Sequence, residues 1–209
     1  MSKPKIILIG AGGHAHSCID VIEQQGYYHI AGLVGMPQEM HDQHLGYQVI
    51  ATDDDLPQLV KENNYVLISL GQIQSPDSRI RFYQQAISLG FQLPVIVAPT
   101  AYVSRHATLG SGTIVMHGSI VNAGVRVGDN CIINNRSLLE HDATVADHCH
   151  ISKGAILNGG VKVGAGSFIG SGSVIKEGVN IGKDCVIGMG LSVRSNQPDH
   201  SRYIGKSSS

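Results

Sequence analysis

One stretch of the chain concentrates groups able to move protons: Asn134-Asn135-Arg136-Ser137-Leu138-Leu139-Glu140-His141-Asp142, followed by His148-Cys149-His150. A neutral imidazole is the side chain best matched to taking a proton near physiological pH. A carboxylate beside it fixes the ring tautomer and raises its basicity, and Glu140 or Asp142 can serve. A second candidate is Gly10-Ala11-Gly12-Gly13-His14-Ala15, which fits G-x-G-x-x-A between a strand-like and a helix-like run. Such a turn offers helix N–H groups to a diphosphate. A dinucleotide cofactor would also need an acidic residue at the end of the second strand to hold its ribose. That strand ends Leu33-Val34-Gly35-Met36, so a redox role is not expected.

The elements that must position these groups fall into two kinds. Residues 1–96 alternate strand and helix patterns: strands at Lys5–Ile9, His29–Val34, Tyr65–Leu70 and Leu93–Val97, helices at Ala15–Gln25, Asp55–Glu62 and Asp77–Leu89. Alternation of this kind predicts a parallel sheet with covering helices, a small Rossmann-like α/β domain. From Val97 to residue 198 the period changes to six. Val97, Val103, Leu109, Val115, Val121, Val127, Ile133, Leu139, Val145, Ile151, Leu157, Val163, Ile169, Ile175, Ile181, Ile187 and Val193 are all aliphatic. Four places after each stands a small or β-branched residue, from Ala101 to Cys185; only Leu191 and Gln197 break the rule. A repeat outranks local propensity in deciding a fold, and this one predicts a parallel β-helix. Three hexads close a triangular coil, so residues 18 apart stack. Cys131, Cys149, Ser167 and Cys185 then share one inward column as core filler. Residues 199–209 read as a C-terminal tail.

His141 and His150 fall at outward positions in this register. Nine residues is half a coil, so within one chain they face apart and meet only across a contact between neighbouring chains. The expectation is an inter-subunit site, His141 from one protomer and His150 from the next.

Composition narrows the function classes. Fifteen basic against 16 acidic side chains give a net charge of −1, which offers no footprint for nucleic acid or an anionic membrane surface. No apolar run reaches the roughly 18 residues of a spanning helix. Met1-Ser2-Lys3-Pro4 leads directly into a strand without a signal-peptide pattern, so a cytoplasmic protein is expected. The four cysteines form no C-x-x-C pair, and a cytoplasmic address argues against disulfides.

A Gly-rich α/β half followed by uninterrupted hexapeptides carrying N-x-x-S-x-x-E-H-[ED] resembles the PglD/NeuD family of bacterial sugar acetyltransferases. The resemblance implies a left-handed β-helix, a homotrimer and acetyl-CoA as co-substrate. It implies His141 as general base and Asp142 as the acid enhancing its basicity. It places His150 at the thioester of acetyl-CoA, Asn134 near the same site, and Gly159, Ser171, Gly188 and Met189 along the coenzyme. The glycine loop, through Gly12, Gly13 and His14, would hold a nucleotide-sugar diphosphate, with Gly71 and nearby Asp77 or Arg79 at the sugar. Some relatives hold uracil with an Asp-Asp pair after the second strand. Gly35-Met36 stands there in this chain, which points away from a UDP-linked acceptor.

The expected reaction is N-acetylation of the 4-amino group of a nucleotide-linked amino dideoxy sugar for surface glycans. The alternative is O-acetylation of a sialic-acid-type sugar. A more distant alternative is a metalloenzyme like the γ-class carbonic anhydrases, using His117, His141, His148 and His150. Their spacing does not resemble a stacked ligand set, and no metal is expected.

Overall fold

The computed structural model describes residues 3–205. The chain forms two compact units, residues up to 71 with 77–99, and 72–76 with residues from 100 onward.

The first unit is built on a sheet of order β3-β4-β2-β1-β5, with β1 at Lys5–Ile9, β2 at His29–Val34, β3 at Gln43–His44, β4 at Tyr47–Ala51 and β5 at Tyr65–Ile68. Strands β1, β2, β4 and β5 are parallel. In β1 every residue after Lys5 is buried, as expected of a parallel strand covered on both faces. Helix α1 (Gly13–Gln25) buries Ala15, Cys18, Ile19 and Ile22, one face at helical spacing. It ends where Gly26, at φ 71°, returns its N–H to Ile22 O. Helix α3 (Asp77–Leu89) runs as the sequence predicts.

Two elements differ from the sequence reading. The helix expected over Asp55–Glu62 shrinks to α2, Leu56–Leu59, preceded by a 3₁₀ turn at Asp53–Asp55. It stops because Asn63 folds back, giving both its backbone N–H and its side-chain amide to Leu59 O. The antiparallel hairpin β3–β4 was not anticipated; its turn is Leu45-Gly46, both at positive φ.

The second unit is the β-helix. Its strands are two residues long and pair in parallel with strands 18 residues away, for example Ile120↔Leu138 and Leu138↔Ile156. Three such ladders form the three faces. The aliphatic series points inward: Val115, Val121, Ile133, Leu139, Ile151, Leu157, Ile169, Ile175, Ile187 and Val193 are fully buried. Val103 and Leu109, in the first coil, are only half-buried, since they stack on one side alone. Cys131, Cys149, Ser167 and Cys185 occupy the predicted inward column at 0% exposure, and all four cysteines of the chain are free thiols. The ladder continues through Arg202–Tyr203, paired with Val186–Ile187, inside the segment read as a tail. Residues 206–209 of that tail lie outside the described residues.

From residue 112 to residue 190 each corner holds one residue in the left-handed region. Glycine fills it at 112, 118 and 124, and again at 154, 160, 166, 172 and 178. Between them stand Asn130, Arg136, Asp142 and His148, at φ of 53 to 60°. The coils therefore abandon glycine at four consecutive corners, over the stretch that carries the candidate chemistry. Side chains rarely adopt this conformation without a reason to be there.

Candidate active site

His141 sits at a corner directly after the strand Leu138–Leu139. Its Nδ1 lies 2.9 Å from Asp142 Oδ2, so Nδ1 carries the proton it donates and Nε2 keeps its lone pair free. Glu140, the other carboxylate that could serve, is engaged elsewhere: its Oε2 accepts from Asn122 Nδ2 at 3.1 Å and, at 3.4 Å, from the His141 backbone N–H. The Asp142 hydrogen bond raises the imidazole above its ordinary value, opposed by desolvation, with smaller Coulombic raises from Asp142, Glu140 and Glu177. In the single chain His141 and Asp142 side chains are 68% and 73% exposed.

Two absent side chains make room for this pair. A Cβ on Gly159, one coil on, would stand 2.7 Å from both Cε1 and Nε2 of His141. A Cβ on Gly124, one coil back, would collide with Asp142 Oδ1. A cavity of about 300 Å³ opens beside the ring, lined by Glu140, His141, Asn158, Gly159 and Glu177. Asn122, Gly124 and Glu177 were missed in sequence, yet they lie one or two coil lengths from Glu140, Asp142 and His141, and the 18-residue period would have found them.

His150 departs from the expectation of an open outward imidazole. It stands on the outer position of its strand, opposite inward Ile151, but is only 6% exposed. Segment 72–76 contributes the Gln72 carbonyl, 2.6 Å from His150 Nδ1, and Phe168 packs edge-on to the ring at 5.2 Å. Asn134 Nδ2 lies 3.0 Å from Nε2, while Asn134 Oδ1 accepts from the Asn135 N–H at 2.8 Å. These partners fix every orientation in the chain: Asn134 must turn its NH₂ to the ring, and the ring must carry its proton on Nδ1. His150 Nε2 is thus an acceptor. The Gln72 side chain anchors the segment by donating to His148 O at 3.0 Å and Gly166 O at 3.2 Å. No local sequence signal marks Gln72.

The remaining β-helix candidates are surface features. Ser171 shares a hydrogen bond with Ser152 at 2.9 Å, Met189 is 80% exposed, and Gly188 passes close to Ile204, where a Cβ would meet Cα at 3.0 Å. His117 Nδ1 lies 3.0 Å from Thr100 Oγ1, and His148 Nδ1 lies 3.1 Å from Asn130 Nδ2. Among the described residues no three His, Cys, Asp or Glu side chains converge as a metal-ligand set.

In the α/β unit the structure brings Gly12, Gly13, His14 and Gly71 together. Gly12 and Gly13 are exposed with open space where a Cβ would be, and the Gly71 Cβ position is 3.7 Å from that of His14. Helix α1 has no side-chain cap and no acidic residue in its first turn, so its N-terminus suits an anion. Gly10, at φ 114°, presses against Leu70, and Ser69 Oγ donates to Gly10 O at 2.7 Å, which sets the loop's path. Arg79 does not line a sugar pocket. It is 1% exposed and donates from Nη1 to Ile68 O and Leu70 O at 2.8 and 2.6 Å, tying down the end of β5.

Residues 5–85 match the PglD N-terminal domain, residues 106–141 and 142–177 match the bacterial transferase hexapeptide, and residues 160–195 match the hexapeptide repeat of succinyl-transferase. No curated protein matches the chain at a significant level. Among solved structures, perosamine N-acetyltransferase from Caulobacter crescentus is 31% identical with a TM-score of 0.89, the match covering 95% of this chain and 92% of that one. It was crystallised with CoA and GDP-perosamine, in forms with one histidine replaced by asparagine or alanine. The acetyltransferase domain of PglB from Neisseria gonorrhoeae, solved with acetyl coenzyme A, is 30% identical with a TM-score of 0.87, covering 95% of each chain. WeeI from Acinetobacter baumannii, 20% identical with a TM-score of 0.80 over 93% of this chain and 94% of that one, shares the fold. Near-complete coverage at these identities joins an α/β domain to a left-handed β-helix in one architecture, and the chain belongs to the PglD/NeuD-like family of hexapeptide-repeat sugar acetyltransferases.

Proposed function

We propose that the protein transfers the acetyl group of acetyl-CoA to the 4-amino group of a nucleotide-linked amino dideoxy sugar destined for surface glycans. The observation that carries this reading is the His141–Asp142 pair, held in a slot between Gly124 and Gly159 with Nε2 turned toward a cavity. Relatives that hold CoA with GDP-perosamine, or acetyl coenzyme A, support both substrate classes.

In the proposed reaction the sugar amine attacks the thioester carbonyl and a C–N bond forms. His141 Nε2 takes the amine proton, and Asp142 stabilises the imidazolium. The tetrahedral intermediate collapses, the C–S bond breaks, and the proton on His141 goes to the departing thiolate. Asn134 and His150 face the thioester, with the Asn134 amide as the hydrogen-bond donor of the two. Gly159, Ser171, Gly188 and Met189 border the coenzyme. Gly12, Gly13 and His14 hold the diphosphate, with Gly71 at the sugar. The proposed assembly is a homotrimer that pairs His141 of one protomer with the His150–Asn134 side of the next. Cytoplasmic residence fits four free buried thiols, and no helix among the described residues is long and apolar enough to cross a membrane.

The test is thiol release from acetyl-CoA against nucleotide-linked 4-amino sugars and sialic-acid-type acceptors, wild type beside His141→Ala. Turnover on an amino sugar that vanishes in the variant supports the reading. Turnover on sialic-type acceptors alone moves it to O-acetylation, and no thiol release with any acceptor removes it.

A further inference from the structure

Beyond the C-terminal ends of β1 and β2 lies a cavity of about 330 Å³, bordered by Gly10–Gly12 on one side and Gly35–Met36 on the other. Ligands of open parallel sheets bind in such a crevice. The charged side chains that line it are Glu39 and Asp53, from turns outside the elements read in the sequence, and Arg81 from α3, with Ser78 of the same helix also in the lining.

Each reaches the cavity for a local reason. In the run Asp53-Asp54-Asp55 it is Asp55 that caps the turn, accepting from Thr52 N–H at 2.8 Å and Thr52 Oγ1 at 3.0 Å, so Asp53 is left to line the cavity. Glu39 folds over Gly35, whose Cβ would stand 2.8 Å from Glu39 Oε2. That oxygen accepts from Met36 N–H at 2.7 Å, which engages one of the two carboxylate oxygens. Arg81 lies with its guanidinium carbon 4.0 Å from the Phe82 ring centroid and Nη2 3.5 Å from Asp53 Oδ2. The two side chains of that pair are 60% and 40% exposed, so the contact is long, wet and easily exchanged for a ligand.

Bases differ in what they offer to such a lining. Guanine presents N1–H and its exocyclic N2 amine side by side, a double donor matched to a carboxylate. Next to them are O6 and N7, which a guanidinium reads. Uracil presents one N–H flanked by two carbonyl oxygens, which a carboxylate repels on either side. Adenine offers an amine but no neighbouring ring N–H.

We propose that Asp53 and Arg81, backed by Glu39, select guanine as the base of the nucleotide-linked acceptor: Asp53 accepts from N1–H and the N2 amine, and Arg81 donates to the O6 edge. This rests on the reading that the acceptor is nucleotide-linked. It also accounts for Gly35-Met36, because the carboxylates that read this base come from the turns after β2 and β4 instead of from the strand end.

The test is calorimetric binding of GDP, IDP, UDP and ADP to the intact protein, without acetyl-CoA or turnover. Inosine diphosphate lacks only the N2 amine. GDP is expected to bind at least about tenfold more tightly than IDP, UDP or ADP, since each hydrogen bond to a charged group is worth that much or more. Asp53→Asn should erase the GDP/IDP difference while leaving the circular dichroism spectrum unchanged. UDP or ADP binding as tightly as GDP, or a GDP/IDP ratio unaltered in Asp53→Asn, overturns the guanine assignment and leaves the acetyltransferase reading standing. Failure of every nucleotide to bind overturns both this assignment and the nucleotide-linked acceptor.

Discussion

The imidazole of His141 occupies the space that a side chain on Gly159 would need, with Cε1 and Nε2 both 2.7 Å from the Cβ position. Gly159 has an ordinary φ, so alanine strains no backbone there; the added methyl meets only the far edge of the ring. Gly159→Ala should therefore displace the base without unfolding the coil. A misplacement of about 1 Å can cost roughly 10²-fold in rate, and that is the loss expected in kcat, with the thermal midpoint nearly unchanged. Gly124→Ala should behave differently. At φ 75° it adds left-handed strain to a collision with Asp142, so it should lose about 1–2 kcal/mol of stability as well. Steady-state kinetics beside thermal melts separate the two; equal stability losses would contradict this geometry.

Asp142→Asn keeps a side chain that tolerates the left-handed corner at φ 60° but removes the carboxylate that raises His141. A general base works only when deprotonated, so the acid limb of the wild-type pH–rate profile should lie above the ordinary imidazole value. In the variant the limb should move to lower pH, and kcat should fall by roughly 10²–10⁴-fold through loss of tautomer control and of the charge facing the imidazolium. The linkage has the same sign: the raised value favours folding below imidazole's unfolded pKa, and this contribution fades as pH rises through the folded one. Full pH profiles of both forms check the prediction, and an unmoved acid limb would show that Asp142 does not govern the base.

The hydrogen-bond chain from Gln72 O through His150 to Asn134 predicts a single tautomer, protonated at Nδ1. Nitrogen-15 NMR of the ring should report Nδ1 as the N–H and Nε2 as the acceptor; the reverse assignment would contradict the geometry. Asn134→Ala removes partners from both His150 Nε2 and the Asn135 N–H in a buried setting, and should cost about 1–3 kcal/mol. Asn134→Asp should instead place a carboxylate against Nε2, draw a second proton onto the ring and shift both nitrogen signals.

What the sequence disclosed about the site followed the reach of its periodicity. The six-residue period fixed each inward residue from Val115 to Val193, because stacked coils leave one environment for every sixth side chain. It also placed His141 at a corner with Asp142 next to it. The residues alone left Glu140 and Asp142 open as its partner; the resemblance pointed to Asp142, and the structure supplies the physical reason, since Asn122, a coil away, engages Glu140. The burial of His150 was hidden because its cover, Gln72, is 78 residues distant and belongs to no repeat. In the α/β unit, the runs buried on both faces could be read, whereas the short polar hairpin around Gly46 and the roles within Asp53-Asp54-Asp55 depend on contacts that no local pattern encodes.

Direct transfer, without an acetyl-cysteine intermediate, is the expectation from where the thiols lie. Cys131, Cys149 and Cys185 point into the coil with Sγ 3.1–3.2 Å from the carbonyl oxygens of Ala146, Gly164 and Pro198, so each thiol is a buried donor. Burial pushes the Cys149 thiol well above its ordinary value and that of Cys18 up to about 12, the latter only partly offset by nearby Arg79. A thiol that holds its proton so firmly and cannot reach solvent is a poor nucleophile. Incubation with acetyl-CoA in the absence of acceptor, followed by acid quench and intact mass measurement, should show no added acetyl group. A thiol-specific reagent should label the native protein only at the rate at which it opens, and should leave early turnover untouched. An acetyl adduct on any of the four cysteines, formed and lost at the rate of turnover, would replace direct attack of the amine on the thioester with a two-step path.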